Sequence, residues 1–376
     1  MKKKIFEFIK QEAILIVACV LAVISMFFVI PDEKYFEYID FRTLGILFSL
    51  MALMAGFQSM GVFEGISRIL LNKVKNIRQL VVTLTLLCFF FSMIITNDVA
   101  LITFVPFTFV LFDMLGQTEE KKWLIPVVIL QTIAANLGSM LTPIGNPQNL
   151  YLYGKSGITF EKFILLMLPY TVLSLAILLI SSFAIGSFGN KKITVSLTTK
   201  SKEKNTCKVI MYVALICICI LAVLRVISVS IAFAVTLCAI MIFDRKVLKK
   251  VDYSLLLTFV GFFIFIGNMG RLPMFSFLLQ KYISGNEVIT AVLTSQVVSN
   301  VPAALLLSNF TDNLPALIVG TNIGGLGTLI ASMASLISYK FIAQKKNASK
   351  GKYLLFFTIA NIIFLAALML LYVLIN

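Results

Sequence analysis

The chain has 376 residues, of which 60% are hydrophobic and only 13% are charged, and its formal net charge is +15. A soluble domain of this composition would lack the polar side chains needed to cover its surface, so we predict an integral membrane protein. Most apolar runs have 17 to 25 residues, the length of a helix that crosses a bilayer core of about 30 Å. The predicted fold class is therefore an all-α polytopic membrane protein.

Other features of composition exclude further classes. Histidine is absent, and the chain has no HExxH, GxSxG or Walker motif, so neither a membrane-embedded enzyme nor an ATP-driven pump is expected. The basic residues form short clusters between apolar runs, which favours a role in membrane orientation over nucleic-acid binding. Six cysteines lie mostly within apolar runs and form no CxxC pair. We predict that they are small buried residues.

The first apolar segment, 12–30, has no small-residue cleavage site before the polar residues that follow it, so we predict a retained span. Later segments lie at 43–62, 79–95, 99–115, 123–153, 160–186, 207–225, 228–244, 253–268, 286–298, 302–310, 314–341 and 353–375. The segments 286–298 and 302–310 have only 13 and 9 residues, too few to cross a membrane. They predict a re-entrant hairpin over 286–310.

An internal repeat relates the two halves of the chain. The matching segments are TNDVA (96–100) with SNVPA (299–303), NLGSMLTPIGN (136–146) with NIGGLGTLIAS (322–332), and IDF (39–41) with VDY (251–253). Because the order of elements is the same in both halves, 79–115 is also predicted to be a re-entrant hairpin. The segments 123–153 and 314–341 are predicted to be broken membrane helices.

These elements predict the number of crossings and the domains. Each half contributes four crossings and 207–225 adds one, which gives nine crossings plus two hairpins. An odd number before the second repeat means that the two repeats have inverted topology. The predicted parts are an N-terminal repeat at 1–186, a cytoplasmic linker with a connecting span at 187–227, and a C-terminal repeat at 228–376.

The distribution of basic residues supports this topology. With the N-terminus in the cytoplasm and the C-terminus outside, 25 of the 32 lysines and arginines fall in cytoplasmic loops, as the positive-inside rule predicts. We therefore expect a multi-pass protein of the cytoplasmic (plasma or inner) membrane. The polar run 189–205 is then a cytoplasmic linker, and 64–74 is an interfacial helix.

The first broken helix contains helix-breaking and capping residues. Pro143 and Pro147 each remove a backbone donor, and Gly145 relaxes the backbone. Asn146 followed by Pro147 is typical of an N-cap and the first residue of a new half-helix. Non-helical backbone at membrane depth persists only where protein buries it or where it lines a water-filled cavity.

The two hairpin tips carry similar chemistry. Asn97 or Asp98 can cap the outgoing arm of the first hairpin, and Ser299 and Asn300 can start that of the second. Half-helix N-termini attract anions and freed carbonyls bind cations, so tips and breaks that meet near the midplane are typical of a secondary transporter. Asp98 is the only acidic residue well inside an apolar stretch, which makes it a candidate cation ligand or proton carrier. A plain capping role is the alternative.

With these residues identified, the chain resembles the ion transporter superfamily, which contains arsenite efflux permeases, divalent-anion and citrate carriers, and one class of sodium/proton antiporters. TNDVAL (96–101) and NLGSMLTPIGNPQN (136–149) are most similar to the arsenite-permease-like branch and its uncharacterised bacterial anion permeases. The resemblance implies unwound helices, a homodimer and elevator-like movement of the substrate-bearing part. The binding residues that it implies are Thr96, Asn97, Asp98, Thr142, Pro143, Gly145, Asn146, Ser299, Asn300, Gly324, Gly327 and Thr328.

The third tip positions, Asp98 and Val301, differ from the Ser-Asn-Thr tips of the dicarboxylate carriers, which argues against a dicarboxylate substrate. We expect a secondary active transporter for a small anion or a neutral oxyacid such as arsenite, coupled to Na⁺ or H⁺, with a candidate Na⁺ site at Asp98, Asn97 and Asn146. A sodium/proton antiporter that uses Asp98, a passive channel and a non-transporting scaffold are the alternatives. No enzyme activity, resident cofactor or nucleic-acid partner is expected.

Overall fold

The computed structural model describes residues 12–71, 74–187, 206–345 and 349–376. These described residues form helices and connecting turns without a β-strand, so the predicted all-helical class is confirmed. Eight helices of the described part are long and apolar enough to cross a membrane. The predicted linker 189–205 lies outside the described residues.

The described part of the N-terminal half contains nine α-helices. They are α1 (Ala13–Met26), α2 (Tyr35–Tyr38), α3 (Phe41–Ser59), α4 (Val62–Leu71), α5 (Ile77–Ile95), α6 (Asn97–Leu115), α7 (Gln117–Ser139), α8 (Pro147–Ser156) and α9 (Phe160–Ser187). A short 3₁₀ turn, Pro143–Gly145, lies between α7 and α8. The predicted break in the segment 123–153 is therefore present as two helices separated by seven residues.

The described remainder of the chain contains nine more α-helices. They are α10 (Thr206–Val223), α11 (Val229–Phe243), α12 (Tyr253–Gly270), α13 (Pro273–Ile283), α14 (Glu287–Val298), α15 (Asn300–Leu307), α16 (Leu314–Ile323), α17 (Met333–Gln344) and α18 (Lys350–Ile375). A 3₁₀ segment, Arg245–Lys250, follows α11. The predicted break in 314–341 lies between α16 and α17.

Equivalent helices in the two halves begin with the same local structure. Asp40 precedes α3 and its carboxylate accepts a hydrogen bond from the Thr43 backbone N–H at 2.9 Å. Asp252 precedes α12 and accepts one from the Leu255 N–H at 3.0 Å. Each aspartate satisfies an amide that the helix itself leaves without a partner, which explains why IDF and VDY recur.

The helices pack in two groups. The scaffold group comprises α1, α3, α10, α11 and α12, in which α1 packs along α12 and α3 packs against α10 and α11. The hairpin group comprises α5 to α9 and α14 to α18. Helices α4 and α13 connect the groups along the chain, and direct contacts between the groups are made mainly by α3 with α8 and by α12 with α15.

The two predicted hairpins differ in the length of their helical arms. The arms α14 and α15 have 12 and 8 residues, whereas α5 and α6 have 19 residues each and are long enough to cross a membrane singly. The chain does turn at Thr96, as predicted. The re-entrant course of both hairpins, the nine crossings and the inverted orientation of the repeats stay predictions.

The prediction for the cysteines is wrong in part. Cys88 and Cys219 are buried, but Cys19, Cys207, Cys217 and Cys238 are exposed on the surface of the chain. The exposed four lie on α1, α10 and α11, helices of the scaffold group that present one face outward. An apolar run in a membrane protein has a lipid-facing side, so burial does not follow from hydrophobic context alone.

Candidate functional site

A small cavity lies where four helices of the hairpin group begin. Its volume is about 10 Å³, roughly the space that one water molecule needs. Eight of its nine lining residues stand at or next to the first residue of a helix. They are Asn97 and Asp98 of α6, Pro147 and Gln148 of α8, Asn300 and Val301 of α15, and Ser332 and Met333 at the start of α17, and Leu255 of α12 completes the lining.

Among the described residues, none of these four helices has a hydrogen bond from the side chain of its N-cap residue to its N-terminal amides. Two of the amides do have other partners: the Asp98 amide donates to Asn97 Oδ1 and the Asn300 amide donates to the Ala331 carbonyl, each at 2.9 Å. The first amide groups of a helix lack partners within that helix, and the helix dipole makes this end partly positive. Four such ends around one cavity provide backbone donors and positive potential without a lysine or an arginine. This arrangement can bind an anion or the oxygen atoms of a neutral solute.

Both hairpin tips have strained backbone. Thr96 has a φ of 63° and Ser299 a φ of 76°, in a region that residues other than glycine rarely adopt. These residues end the ingoing arms and allow the outgoing arms to begin at once. The strain therefore brings Asn97 and Asn300, both almost fully buried, to the cavity.

Three buried polar atoms at or beside the cavity have no hydrogen-bond partner among the described residues. They are Asp98 Oδ1, Asn146 Oδ1 and Gln148 Nε2. Buried polar groups are nearly always paired, so an unpaired group needs an explanation. The two acceptors suit a bound cation or a hydroxyl group, and the donor suits an anionic oxygen.

A reciprocal network of amide and hydroxyl groups surrounds the cavity. Asn136 Oδ1 accepts a hydrogen bond from Ser332 Oγ at 2.9 Å, and its Nδ2 donates to Ser335 Oγ at 3.3 Å. Asn322 Oδ1 accepts from the N-cap residue Asn146 at 3.4 Å, and its Nδ2 donates to Asn149 Oδ1 at 2.6 Å. Each break is therefore tied to the asparagine of the other.

Each break is also tied to the ingoing arm of its own hairpin. The Thr142 hydroxyl donates to the Met93 carbonyl at 2.5 Å, and the Thr328 hydroxyl donates to the Gln296 carbonyl at 3.2 Å. Met93 and Gln296 both lie three residues before their tip residues. The Gln296 side chain also donates to the Gly324 and Leu326 carbonyls at 3.0 and 2.9 Å, which satisfies backbone that the break leaves free.

Glycines permit this packing. A Cβ atom on Gly138 would lie 2.0 Å from the Phe89 carbonyl oxygen, and one on Gly324 would lie 2.7 Å from Ser295 Oγ. Gly145 would clash with the Ser139 carbonyl at 2.1 Å. Only hydrogen fits at these positions, so breaks and hairpin arms can approach at backbone distance.

The predicted site residues fall into three sets. Asn97, Asp98 and Asn300 line the cavity; Thr96, Ser299 and Asn146 each lie next to a lining residue. Among the described residues, the others belong to the two breaks and do not line the cavity. These are Thr142, Pro143, Gly145, Gly324, Gly327 and Thr328.

The predicted capping by Asn97 or Asp98 is not present. Thr96 occupies the N-cap position of α6 without a side-chain bond. Asn97 Oδ1 accepts only from the adjacent Asp98 amide at 2.9 Å, while Asn97 Nδ2 donates to Asn136 at 3.1 Å. Because the chain turns at Thr96, both side chains are already within the helix and cannot cap it. The predicted starts of α8 at Pro147 and of α15 at Asn300 are confirmed.

Sequence reasoning missed several polar residues of the site. They are Asn136, Gln148, Asn149, Gln296, Asn322, Ser332 and Ser335. A signal was present for some of them, because Asn136 aligns with Asn322 in the repeat, and Asn146 and Ser332 each follow ten residues later. Gln148 has no counterpart of similar type, and only the fold shows that it faces the cavity.

Comparison with known proteins agrees with this architecture. The family model described as citrate transporter matches residues 5–317. The chain belongs to the citrate transporter family. It is 33% identical to an uncharacterized transporter of Methanocaldococcus jannaschii over 87% of this chain and 88% of the relative, and 30% identical to the inner membrane protein YbiR of Escherichia coli over 86% of each.

A shorter match reaches the silicon efflux transporter LSI3 of Oryza sativa, with 31% identity over 38% of this chain and 29% of the relative. Together these findings confirm the resemblance to the ion transporter superfamily. The chain is a multi-span membrane protein, and its family and relatives support a membrane transporter of anions or carboxylates.

Proposed function

We propose that this protein is a secondary active transporter that moves a small anion or oxyacid across the cytoplasmic membrane together with Na⁺ or H⁺. The observation that carries this proposal is the convergence of four uncapped helix N-termini on the carboxylate of Asp98. The helix ends supply positive potential for an anion, and the carboxylate supplies a negative charge for the coupling cation. One cavity therefore holds complementary charges for both solutes.

The coupling cation would bind to Asp98. Asp98 Oδ1 and Asn146 Oδ1 are both without a hydrogen-bond partner in the described chain, and oxygen ligands of this kind suit Na⁺ or the proton of a carboxyl group. The substrate would bind to Gln148 Nε2 and to the backbone amides of the four helix starts. No lysine or arginine among the described residues lines the cavity, so a highly charged anion requires the coupling cation beside it.

Transport would use an elevator-type movement of the hairpin group against the scaffold group. The packing of the two groups supports this, because each is joined extensively within itself and only α3–α8 and α12–α15 form the main direct contacts between them. The cavity admits one water-sized group, so a larger solute binds only if the hairpin tips separate. Leu255, in the first turn of α12, lines the cavity; in the proposed orientation it places the site toward the cytoplasm.

A sodium/proton antiporter without an anion substrate is the second candidate. The lining has one carboxylate and no basic side chain, and its volume suits a bare cation better than citrate. In this alternative Asp98 exchanges Na⁺ for H⁺. Homodimerisation is a proposal that both candidates share.

A thermal-shift screen tests the proposal. Purified protein is heated with Na⁺, Li⁺, citrate, succinate, sulfate, phosphate or arsenite between about pH 5.5 and 8.5, because a ligand of the folded state raises its apparent stability by mass action. Asp98→Asn is the test variant. Glu287→Gln is the matched control, because Glu287 is a buried carboxylate that binds Gly285 N and Thr311 away from the cavity.

Stabilisation by one anion that depends on Na⁺ or pH, and loses this dependence in Asp98→Asn only, is the expected result. Stabilisation by Na⁺ or Li⁺, with no change in thermal stability on addition of any anion, would favour the antiporter. If no solute stabilises the protein, and proteoliposomes show neither uptake nor exchange of any of them, the transporter proposal is wrong in this form.

A further inference from the structure

A second, larger cavity lies in the scaffold group, away from the candidate transport site. It has a volume of about 910 Å³, within the range of pockets that bind organic ligands. Its walls come from the first two turns of α3, from the corner between α10 and α11, and from Leu256 of α12. We call it the scaffold groove.

The scaffold groove has a polar end and an apolar floor. Arg42 and Arg225 lie at the end where α3 and α11 begin, with Ser228 beside them. Phe48 and Phe233 lie deeper and pack edge to face with ring centroids 5.4 Å apart. Seven residues separate Phe41 at the mouth from Phe48 at the floor, which along a helix corresponds to a depth of about 10 Å.

The charges at the mouth are of one sign. No acidic residue of the described part of the chain lines the groove. Arg42 is exposed and forms no ion pair with a described residue. Arg225 uses two N–H groups to donate to the Tyr153 and Gly157 carbonyls, each at 2.9 Å. A guanidinium carries five N–H donors, so Arg225 retains donors for an anion.

The apolar surroundings identify the kind of anion. Phe41, the first residue of α3, and Val226, in the corner between α10 and α11, are 62% and 67% exposed at the mouth, and we assign these three helices to the membrane. A small soluble anion would gain nothing from such walls, whereas an amphiphile buries its chain against them and pairs its headgroup with arginine. We propose that the scaffold groove binds one phospholipid with an anionic headgroup, its phosphate at Arg42 and Arg225 and an acyl chain over Gly45 and Phe48.

Arg225 would connect this lipid site to the transport site. Arg225 has a φ of 63°, packs over the Tyr153 ring at 4.8 Å and holds the C-terminal end of α8, whose N-terminal end lines the small cavity. A lipid phosphate at Arg225 therefore acts on the junction between the scaffold group and α8. Binding of the lipid itself does not depend on what the protein transports.

The test uses the full chain purified in a maltoside detergent. The probes are phosphatidylglycerol, phosphatidylcholine with the same acyl chains, and glycerol phosphate as a headgroup without chains. Two variants test the two parts of the site. Arg42→Gln removes the charge at the headgroup, and Gly45→Leu fills the space proposed for the acyl chain. A Cβ at Gly45 lies at ordinary contact distances of 3.5 and 3.7 Å from Val229 and Phe233, so the backbone accepts a side chain there.

Lys162→Gln is the matched control, since Lys162 is an exposed cation at the start of α9 that does not line the groove. We expect phosphatidylglycerol to raise the midpoint of thermal unfolding and to be retained as one bound lipid in native mass spectrometry, for the wild type and Lys162→Gln. Arg42→Gln should weaken apparent affinity about fivefold, and Gly45→Leu should abolish retention while remaining folded.

Four results would overturn the proposal. If phosphatidylcholine stabilises the protein and is retained as well as phosphatidylglycerol, the site has no headgroup preference. If glycerol phosphate stabilises it as much as phosphatidylglycerol, the acyl chain does not contribute to binding. Unchanged binding in both variants would place the lipid elsewhere. Disulfide-linked dimers formed by Val226→Cys in native membranes would show that a second copy covers the groove.

Discussion

Asn136 on α7 and Ser332 at the start of α17 are 196 residues apart in the chain and joined by a hydrogen bond of 2.9 Å. Asn322 binds Asn146 in the corresponding way. Each half of the chain thus supplies the asparagine that holds the break of the other half. The cavity exists because both halves are present and in register.

Substitution of Asn136 should destabilise the protein. Asn136→Ala removes the side-chain partner of Ser332 Oγ, Ser335 Oγ and Asn97 Nδ2. We expect a loss of roughly 2–4 kcal/mol because each unpaired group costs about 1–3 kcal/mol and hydroxyls partly reorient. The measurement is the unfolding midpoint in mild detergent. Asn361→Ala is the control: Asn361 is equally buried but donates only to the Phe357 carbonyl within its own helix. Equal losses in the two variants would contradict the network.

Alanine at Gly138 should be far more harmful than alanine at Gly154. The new Cβ would lie 2.0 Å from the Phe89 carbonyl oxygen, which is backbone and cannot rotate away, so α5 and α7 must separate. We expect a loss of about 3 kcal/mol or misfolding, at or above the upper end for overpacked sites. At Gly154 the nearest atom, Thr43 Oγ1, is 3.8 Å away. The measurement is the expression level and thermal stability of the two variants. Equal values for both would contradict the close approach at Gly138.

At Thr96 the usual preference for alanine over glycine should reverse. Within ordinary helices glycine is less stable than alanine by about 0.5–1 kcal/mol. Thr96 has φ 63° and ψ 148°, where a Cβ atom is strained by roughly 1–3 kcal/mol. Thr96→Gly should therefore unfold at a higher temperature than Thr96→Ala. The same pair of substitutions at Thr103, inside α6, should show the ordinary order; a common order at both sites would argue against a strained tip.

Removal of the Gln148 amide should affect ligand binding more than stability. Gln148 is 1% exposed and its Nε2 has no partner among the described residues, so Gln148→Leu breaks no hydrogen bond made by that nitrogen. We expect a change in stability within about 1 kcal/mol and loss of the stabilisation given by the substrate. Gln131→Leu is the comparison. Gln131 Nε2 also has no hydrogen-bond partner among the described residues, its Oε1 accepts from Thr108, and neither residue lines the cavity. If Gln148→Leu retains the full ligand response, Gln148 is not a binding residue.

The orientation of the chain is testable with single cysteines in a background without native cysteines. Lys162 and Lys121 are both exposed, and the proposed topology places them on opposite sides of the membrane. In intact cells a membrane-impermeant maleimide should label Lys162→Cys and should label Lys121→Cys only after lysis. The reverse pattern would invert the whole topology, and labelling of both in intact cells would contradict the number of crossings between them.

The sequence by itself determined the class of the protein and most of its helix boundaries. Long apolar runs must be helical in lipid because every backbone group needs an internal partner, and Pro147, Pro302 and the Asp40 and Asp252 caps act on neighbouring residues only. Their effects are local, so they are readable without a fold. The positions of both breaks and both tips follow from such local signals.

Only the tertiary structure decided which polar residues meet. Gln148 and Ser332 line the same cavity although they belong to different halves, whereas Thr142 and Thr328, which match in the repeat, do not line it. A helix turns its side chains through about 100° per residue, so the face that a residue presents depends on how its helix packs. The hydrogen bonds of Asn136 with Ser332 and of Asn322 with Asn146 join residues 196 and 176 positions apart, and a local sequence pattern does not contain such pairings.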